Sequence, residues 1–256
     1  MKKLALLTLS LLLAAALLPA KTLAKTYING IDANYPFHAY VDEKGNPDGL
    51  DVAAMNWIAK KMGFEVKHQP MDWDGIIPAL LAKKIDMVCS GMSISEERKK
   101  QVTFSEPYWS VRKVFVTKKG SALTMKDILS GKKLVGVQRG TNEHEHLEKI
   151  LKDGGDIAGV TIFNYTLRHY DSAPMAIEDM LHGRVEAVGM DSAPAQDAIN
   201  KGKPIQIVGD FAQPDDFGVA TRNEDAELRQ KINEGFKLLK ADPYWPEIVK
   251  KYTEKK

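Results

Sequence analysis

Short apolar runs alternate with helix-period segments along most of the chain, and the same layout comes round twice. The first series reads 26–30 as a strand, 52–62 as a helix, 65–68 as a strand, 76–83 as a helix and 85–89 as a strand. Strands separated by helix-length connections pair mainly in parallel, because a tight turn cannot join two parallel neighbours. In the first helix Met55, Ile58, Ala59 and Met62 share one face, and Gly63 is placed to end it. After an extended run at 111–117 a second series follows: a strand at 134–137, a helix from Thr141, a strand at 161–165, a helix at 173–181 and a strand at 186–190. The chain then passes through 205–208 and 217–221 and ends in amphipathic helices at 226–240 and 244–252. Two similar α/β lobes are the expected architecture.

Upstream of this pattern, Lys2 and Lys3 precede an apolar run at 4–18, a breaking Pro19 and the small-residue end Thr22-Leu23-Ala24. That arrangement predicts a secretory signal peptide over residues 1–24, cleaved near Ala24, and a soluble mature chain starting near Lys25. The only cysteine is Cys89, inside a predicted strand, so neither a lipid-bearing cysteine at the cleavage point nor an internal disulfide is available. A mature chain of about 230 residues can bury an ample core without one. Removing Lys2, Lys3 and Lys21 from the 36 basic residues leaves one fewer than the 34 acidic ones, a formal net charge of minus one. With no basic stripe interleaved with aromatics, a nucleic-acid partner is not expected.

The stretch Ser90-Gly91-Met92-Ser93-Ile94-Ser95-Glu96-Glu97-Arg98 sets small hydroxyl residues and one arginine between a strand and the Ser-then-acid start of a helix. Open α/β sheets bind ligands at such carboxyl ends of strands. A guanidinium fits a carboxylate through two parallel hydrogen bonds, and the Ser90 and Ser93 hydroxyls can fill remaining lone pairs. The same residues also fit a plainer reading, in which Arg98 is a solvated helix charge paired with Glu96 or Asp86.

Together with Asp32-Ala33-Asn34-Tyr35-Pro36-Phe37, Met71-Asp72-Trp73-Asp74-Gly75-Ile76-Ile77-Pro78-Ala79-Leu80 and Arg139-Gly140-Thr141, this stretch makes the chain resemble the polar amino-acid-binding receptors of ABC importers, a family of periplasmic solute-binding proteins. The resemblance covers essentially the whole mature chain. It implies a two-lobed type II periplasmic-binding-protein fold with hinge strands at 111–116 and 217–221. Residues 25–112 and 219–256 would form lobe 1, and 113–218 an inserted lobe 2. It also implies a monomer in the periplasm that takes a free L-amino acid by hinge closure and passes it to ABC importer membrane subunits, with no cofactor and no metal.

Carried over residue by residue, the resemblance gives Arg98 the ligand α-carboxylate, aided by Ser93 and the backbone N–H groups of Gly140 and Thr141. Thr141 also fits an ordinary helix N-cap, and both roles are compatible. Asp191 would take the α-ammonium with Ser90 and the Gly91 carbonyl, although an aspartate after a strand also fits a helix cap. Tyr35 and Trp73 would flank the ligand side chain, with Gln138 and Met92 at its far end. Asp32 would receive a cationic group or cap a local turn. The expected ligand is polar or cationic, with histidine, arginine, lysine and glutamine open.

Two rival functions attach to the same fold. Gly140-Thr141-Asn142-Glu143 resembles a motif of cyclohexadienyl dehydratases, which act on prephenate or arogenate, but the glutamate those enzymes place three residues after the counterpart of Asp191 is Pro194 here, which cannot donate a proton. A sensor domain reporting to a membrane receptor is the other. His144 and His146, interleaved with Glu143 and Glu145, read as a solvated helix face, because a His-x-His pair points to different sides of a helix.

Overall fold

A computed structural model describes residues 24–254. The predicted signal peptide, residues 1–24, lies outside them except for Ala24. The chain opens with β1 (Thr26–Asp32), passes a small sheet of β2 (Asn34–Tyr35), β3 (Ala39–Val41) and β4 (Pro47–Asp48), and enters α1 (Leu50–Met62). β5 (Glu65–Met71), α2 (Ile76–Leu81), β6 (Met87–Val88), α3 (Glu96–Lys99) and β7 (Thr103–Phe104) complete the first series. β8 (Trp109–Val111) leads across to β9 (Lys113–Lys118), α4 (Met125–Ser130), β10 (Lys133–Gln138), α5 (Asn142–Asp153), β11 (Tyr165–Tyr170), α6 (Ala173–Leu181), β12 (Ala187–Asp191), α7 (Ser192–Asn200) and β13 (Ile205–Asp210). The return runs through β14 (Asp215–Phe217) and β15 (Ala220–Thr221) to α8 (Ala226–Ala241) and α9 (Tyr244–Thr253).

Two five-stranded sheets result, ordered β5-β1-β6-β15-β7 and β11-β10-β12-β9-β13. In each, the first three strands are parallel and the last two join antiparallel. The fourth strand of each sheet is the one delivered by a crossover, β15 to the first and β9 to the second. The crossovers lie side by side, because β8 pairs antiparallel with β14 from Val111↔Asp215 to Trp109↔Phe217. Register then fixes what reaches the strand ends. β1 pairs with β5 up to Asp32↔Met71, and β10 with β11 up to Gln138↔Tyr170.

The apolar face predicted for α1 is buried, with Met55, Ile58 and Ala59 packed against Leu228, Ile232, Phe236 and Leu239 of α8 and Ile248 of α9. Gly63 ends α1 in the left-handed conformation. The C-terminal helices thus pack on the first sheet's lobe. No helix among the described residues is long and apolar enough to cross a membrane.

Three local expectations are corrected. The strand expected at 161–165 is β11, at Tyr165–Tyr170; the expected stretch is a loop whose Ile162 is 74% exposed. β11 is an edge strand, and its polar Thr166, Arg168 and His169 disguise it in sequence. Most of the expected first hinge is instead a central strand, with Val114, Phe115 and Val116 fully buried in the second sheet. The run at 217–221 is broken into the end of β14 and β15.

Candidate functional site

The carboxyl ends of parallel strands from both sheets meet across a cleft of about 440 Å³, its open mouth included. Asp32 closes β1, Ser90 and Gly91 follow β6, Gln138 closes β10 and Asp191 closes β12; all line the cleft.

On the first wall, α3 starts at Ser95, whose Oγ accepts the Arg98 N–H at 3.3 Å. The Arg98 side chain turns inward, donating to the Ser93 carbonyl at 3.0 Å and, across the cleft, to the Gly140 carbonyl at 3.2 Å. Its guanidinium also lies 5.6 Å from the Trp73 ring centroid. The solvated reading fails, since Arg98 is only 4% exposed, Glu96 pairs with Lys99 and Asp86 with Arg222. Burial draws the guanidinium below its ordinary pKa, partly offset by Glu145, Glu143, Asp191 and Asp215.

Gly91 has a φ of +60°, and a Cβ there would sit 2.3 Å from Tyr35 Cε1, so only glycine fits without displacing the ring. Its N–H donates to Asp51 Oδ2 at 2.6 Å, an oxygen that also accepts from the Tyr108 hydroxyl at 2.6 Å, while Asp51 Oδ1 lies 3.0 Å from His38 Nδ1. This buried network beneath the cleft floor escaped the sequence reading. Ser90 Oγ accepts the Asp32 N–H at 2.9 Å, holding the two strand ends together. Asp32 caps its local turn, Oδ1 accepting the Asn34 N–H at 2.8 Å, while Oδ2 faces the cleft and accepts from the neutral Gln138 Nε2 at 2.8 Å. Burial raises the Asp32 pKa, with the Gln138 and Asn34 bonds opposing.

On the second wall, Thr141 caps α5, its Oγ1 accepting the His144 N–H at 3.3 Å and donating to the Gln138 carbonyl at 2.8 Å. Asp191 makes no capping bond to α7. Instead its Oδ2 accepts from the Tyr35 hydroxyl across the cleft at 2.6 Å, and its Oδ1 has no hydrogen-bond partner. Two charged residues missed by the sequence reading surround it. Glu143, expected on a solvated face, is buried in the cleft lining, because the cap turns the first turn of α5 inward. Lys113 of β9 is buried beneath, 2.6 Å from Asp215, 3.6 Å from Asp191 and 4.0 Å from Glu143. A lysine inside the apolar run 111–117 was the signal available for it.

Burial and the repulsion of Glu143 push Asp191 well above the carboxylate range, Lys113 opposing. Burial also disfavours ionised Glu143, but Lys113 and Arg98 hold it below its ordinary value. The two carboxyls therefore compete for charge, burial and repulsion favouring the protonated form of Asp191 and Lys113 favouring the ionised form of Glu143. Lys113, which burial alone would depress, is held above its ordinary value by Glu143, Asp191 and Asp215.

Two expected positions differ. Met92 is fully buried in the cluster of Trp73, Ile76 and Val88 and lines an adjoining crevice rather than the main cleft, since its apolar side chain follows the core. Gly140 borders that crevice too; it meets the first wall with its carbonyl, which accepts from Trp73 Nε1 at 3.1 Å, while its N–H points to His144 Nδ1 at 3.4 Å. Its φ of +71° and a Cβ position 3.2 Å from Asp74 Cα make glycine necessary for so close an approach. Tyr35 and Trp73 both line the cleft, with Tyr35 stacked on His38 at 5.6 Å.

Two like α/β lobes, joined by paired crossovers around a buried charged cleft, define a type II periplasmic binding protein. The chain belongs to the bacterial extracellular solute-binding proteins, family 3, whose family model matches residues 27–255. The L-arginine-binding protein of Pseudomonas aeruginosa is 34% identical over 261 residues, covering 98% of this chain and 96% of that one. An ancestral arginine-binding protein solved with arginine superposes with a TM-score of 0.79 at 37% identity, over 91% of this chain and 100% of its own. The ancestral amino acid-binding protein AncCDT-1, a precursor of cyclohexadienyl dehydratase, gives a TM-score of 0.79 at 30% identity, over 90% of this chain and 96% of its own.

Proposed function

We propose that the protein is a monomeric periplasmic receptor that closes its lobes around a free polar or cationic L-amino acid and delivers it to the membrane subunits of an ABC importer. Lobe 1 comprises residues 25–112 and 219–256 and lobe 2 residues 113–218, with the β8/β14 pair as the hinge. One observation carries the reading: a buried arginine on one wall faces two buried carboxyls on the other. An amino acid is a zwitterion, so Arg98 takes its carboxylate while Asp191 and Glu143 take its ammonium. Trp73 and Tyr35 flank the side chain, and Asp32 and Gln138 receive its end.

Charge balance favours a cationic side chain. With Asp191 ionised by the ligand, Asp32, Glu143, Asp191 and Asp215 face only Arg98 and Lys113, and a ligand of net positive charge reduces the excess. The similarity to arginine-binding proteins points the same way.

The test is thermal unfolding of refolded, ligand-stripped protein with each of the twenty amino acids, prephenate and arogenate. At about a thousandfold excess over Kd a true ligand stabilises by about 4 kcal/mol, a shift on the order of 10 °C. A shift confined to one or a few amino acids is expected. The second reading, a dehydratase, is favoured by the likeness to AncCDT-1 and opposed by Pro194, which lines the cleft where a proton donor is needed. A shift with prephenate or arogenate alone would replace the first reading with it.

A further inference from the structure

Outside the cleft, lobe 2 brings together three side chains that the sequence keeps apart: His144 and Glu148, one turn apart on α5, and His169 on β11. The histidine that matters to His144 is thus not its near neighbour His146. It is one from β11, the strand expected at 161–165 and found at Tyr165–Tyr170. His144 Nε2 lies 3.1 Å from Glu148 Oε1, and His169 Nε2 lies 3.7 Å from the same oxygen. The candidate donor atoms of all three lie within 4.8 Å of one another.

The first of these separations matches a shared ion, and the second is a few tenths of an ångström wider. Two ligand atoms each about 2.1 Å from one metal stand about 3.0 to 3.4 Å apart, so small side-chain adjustments suffice. His144 Nε2 is closed off from solvent and faces the Glu148 carboxylate oxygen at 3.1 Å. An ion between this nitrogen and Glu148 would take the place of the proton now between them and bind both. The two imidazoles meet edge to face, centroids 4.5 Å apart at 79°, rather than stacking. The frame is rigid, since Thr141 caps α5 and β11 pairs along its length with β10.

We propose that His144, Glu148 and His169 form a binding site for a divalent transition-metal ion of the Zn²⁺ or Ni²⁺ type, separate from the amino-acid cleft. Two imidazoles and a carboxylate select such ions over Mg²⁺ and Ca²⁺, which prefer all-oxygen sites. Glu148 and His169 are solvent-exposed, so water completes the coordination. Coordination through His144 Nε2 places its ring proton on Nδ1, and the 3.4 Å bond from the Gly140 N–H is given up on loading. That exchange makes the site one of moderate affinity.

The test is calorimetric titration of tag-free, chelator-treated mature protein with Zn²⁺, Ni²⁺ and Mg²⁺, alongside His169→Ala, Glu148→Gln and His146→Ala. The parent is expected to take up one equivalent of Zn²⁺ or Ni²⁺ and to give no heat with Mg²⁺. His169→Ala and Glu148→Gln each weaken binding by at least about tenfold, and His146→Ala leaves it unchanged. No uptake by the parent, parental affinity in both His169→Ala and Glu148→Gln, or an equal loss in His146→Ala would overturn the assignment.

Discussion

The two sheets match strand for strand, yet the walls they present to the cleft differ in charge: the cleft's arginine, Arg98, is on the first beside Asp32, and the acid pair Asp191 and Glu143 is on the second. The first wall holds one cation, Arg98, satisfied by the neutral carbonyls of Ser93 and Gly140 and by the face of Trp73. The second holds Asp191 and Glu143 in mutual repulsion, with Lys113 beneath them and Asp191 pushed above the carboxylate range. Topology therefore decides where the strand ends meet. Single residues at those ends decide what each wall does, one being a settled anion receptor and the other a poised acid pair that an ammonium can discharge.

The largest expected effect tests that asymmetry through stability. Lys113→Met leaves Glu143, Asp191 and Asp215 without their buried cation and should lower unfolding stability by about 3 to 5 kcal/mol, read from urea denaturation. Next come the walls' ends: Arg98→Ala and Asp191→Ala should each weaken ligand affinity by at least about 2 to 3 kcal/mol, measured by calorimetry with the ligand found by thermal unfolding.

The pH dependence should come from the second wall and from Asp32. Both Asp191 and Asp32 bind their protons more tightly when folded, since their pKa values are raised. Their stabilising contribution is then complete below the unfolded carboxylate value of about 3.9 and is lost as pH rises through the folded values. These two carboxyls therefore remove stability as pH rises through this window, against the opposite contribution of His68, whose pKa burial lowers to about 4. Asp191→Asn should flatten that slope in a series of melting temperatures against pH, and a parental slope in the variant would break the account of the raised Asp191 pKa. Smaller still, Gly140→Ala should weaken ligand affinity by about 1 to 2 kcal/mol, through the left-handed φ and the approach to Asp74 in the closed form.

Much of this was legible from period and punctuation. The alternation of strands and helices, the Gly63 stop, the Ser95 and Thr141 caps and the strand-end position of Asp191 are all local signals. The inward turn of Arg98 is not local. It depends on carbonyls at Ser93 and, across the cleft, at Gly140. Glu143, Lys113 and the Asp51–His38–Tyr108 network were illegible for the same reason: a buried charge looks like a solvated one until its long-range partners are placed. β11 was misplaced because an edge strand can carry polar side chains that mimic a loop.

The central claim is that the opposite charges on the two walls grip one ligand together. The most direct measurement is a double-mutant cycle on ligand affinity with Arg98→Ala, Asp191→Ala and both. The account predicts that each single change removes most of the binding and that the double is little worse than either, because neither wall alone holds the lobes closed. Affinity within about threefold of the parent in either single variant, or losses that simply add, would contradict it.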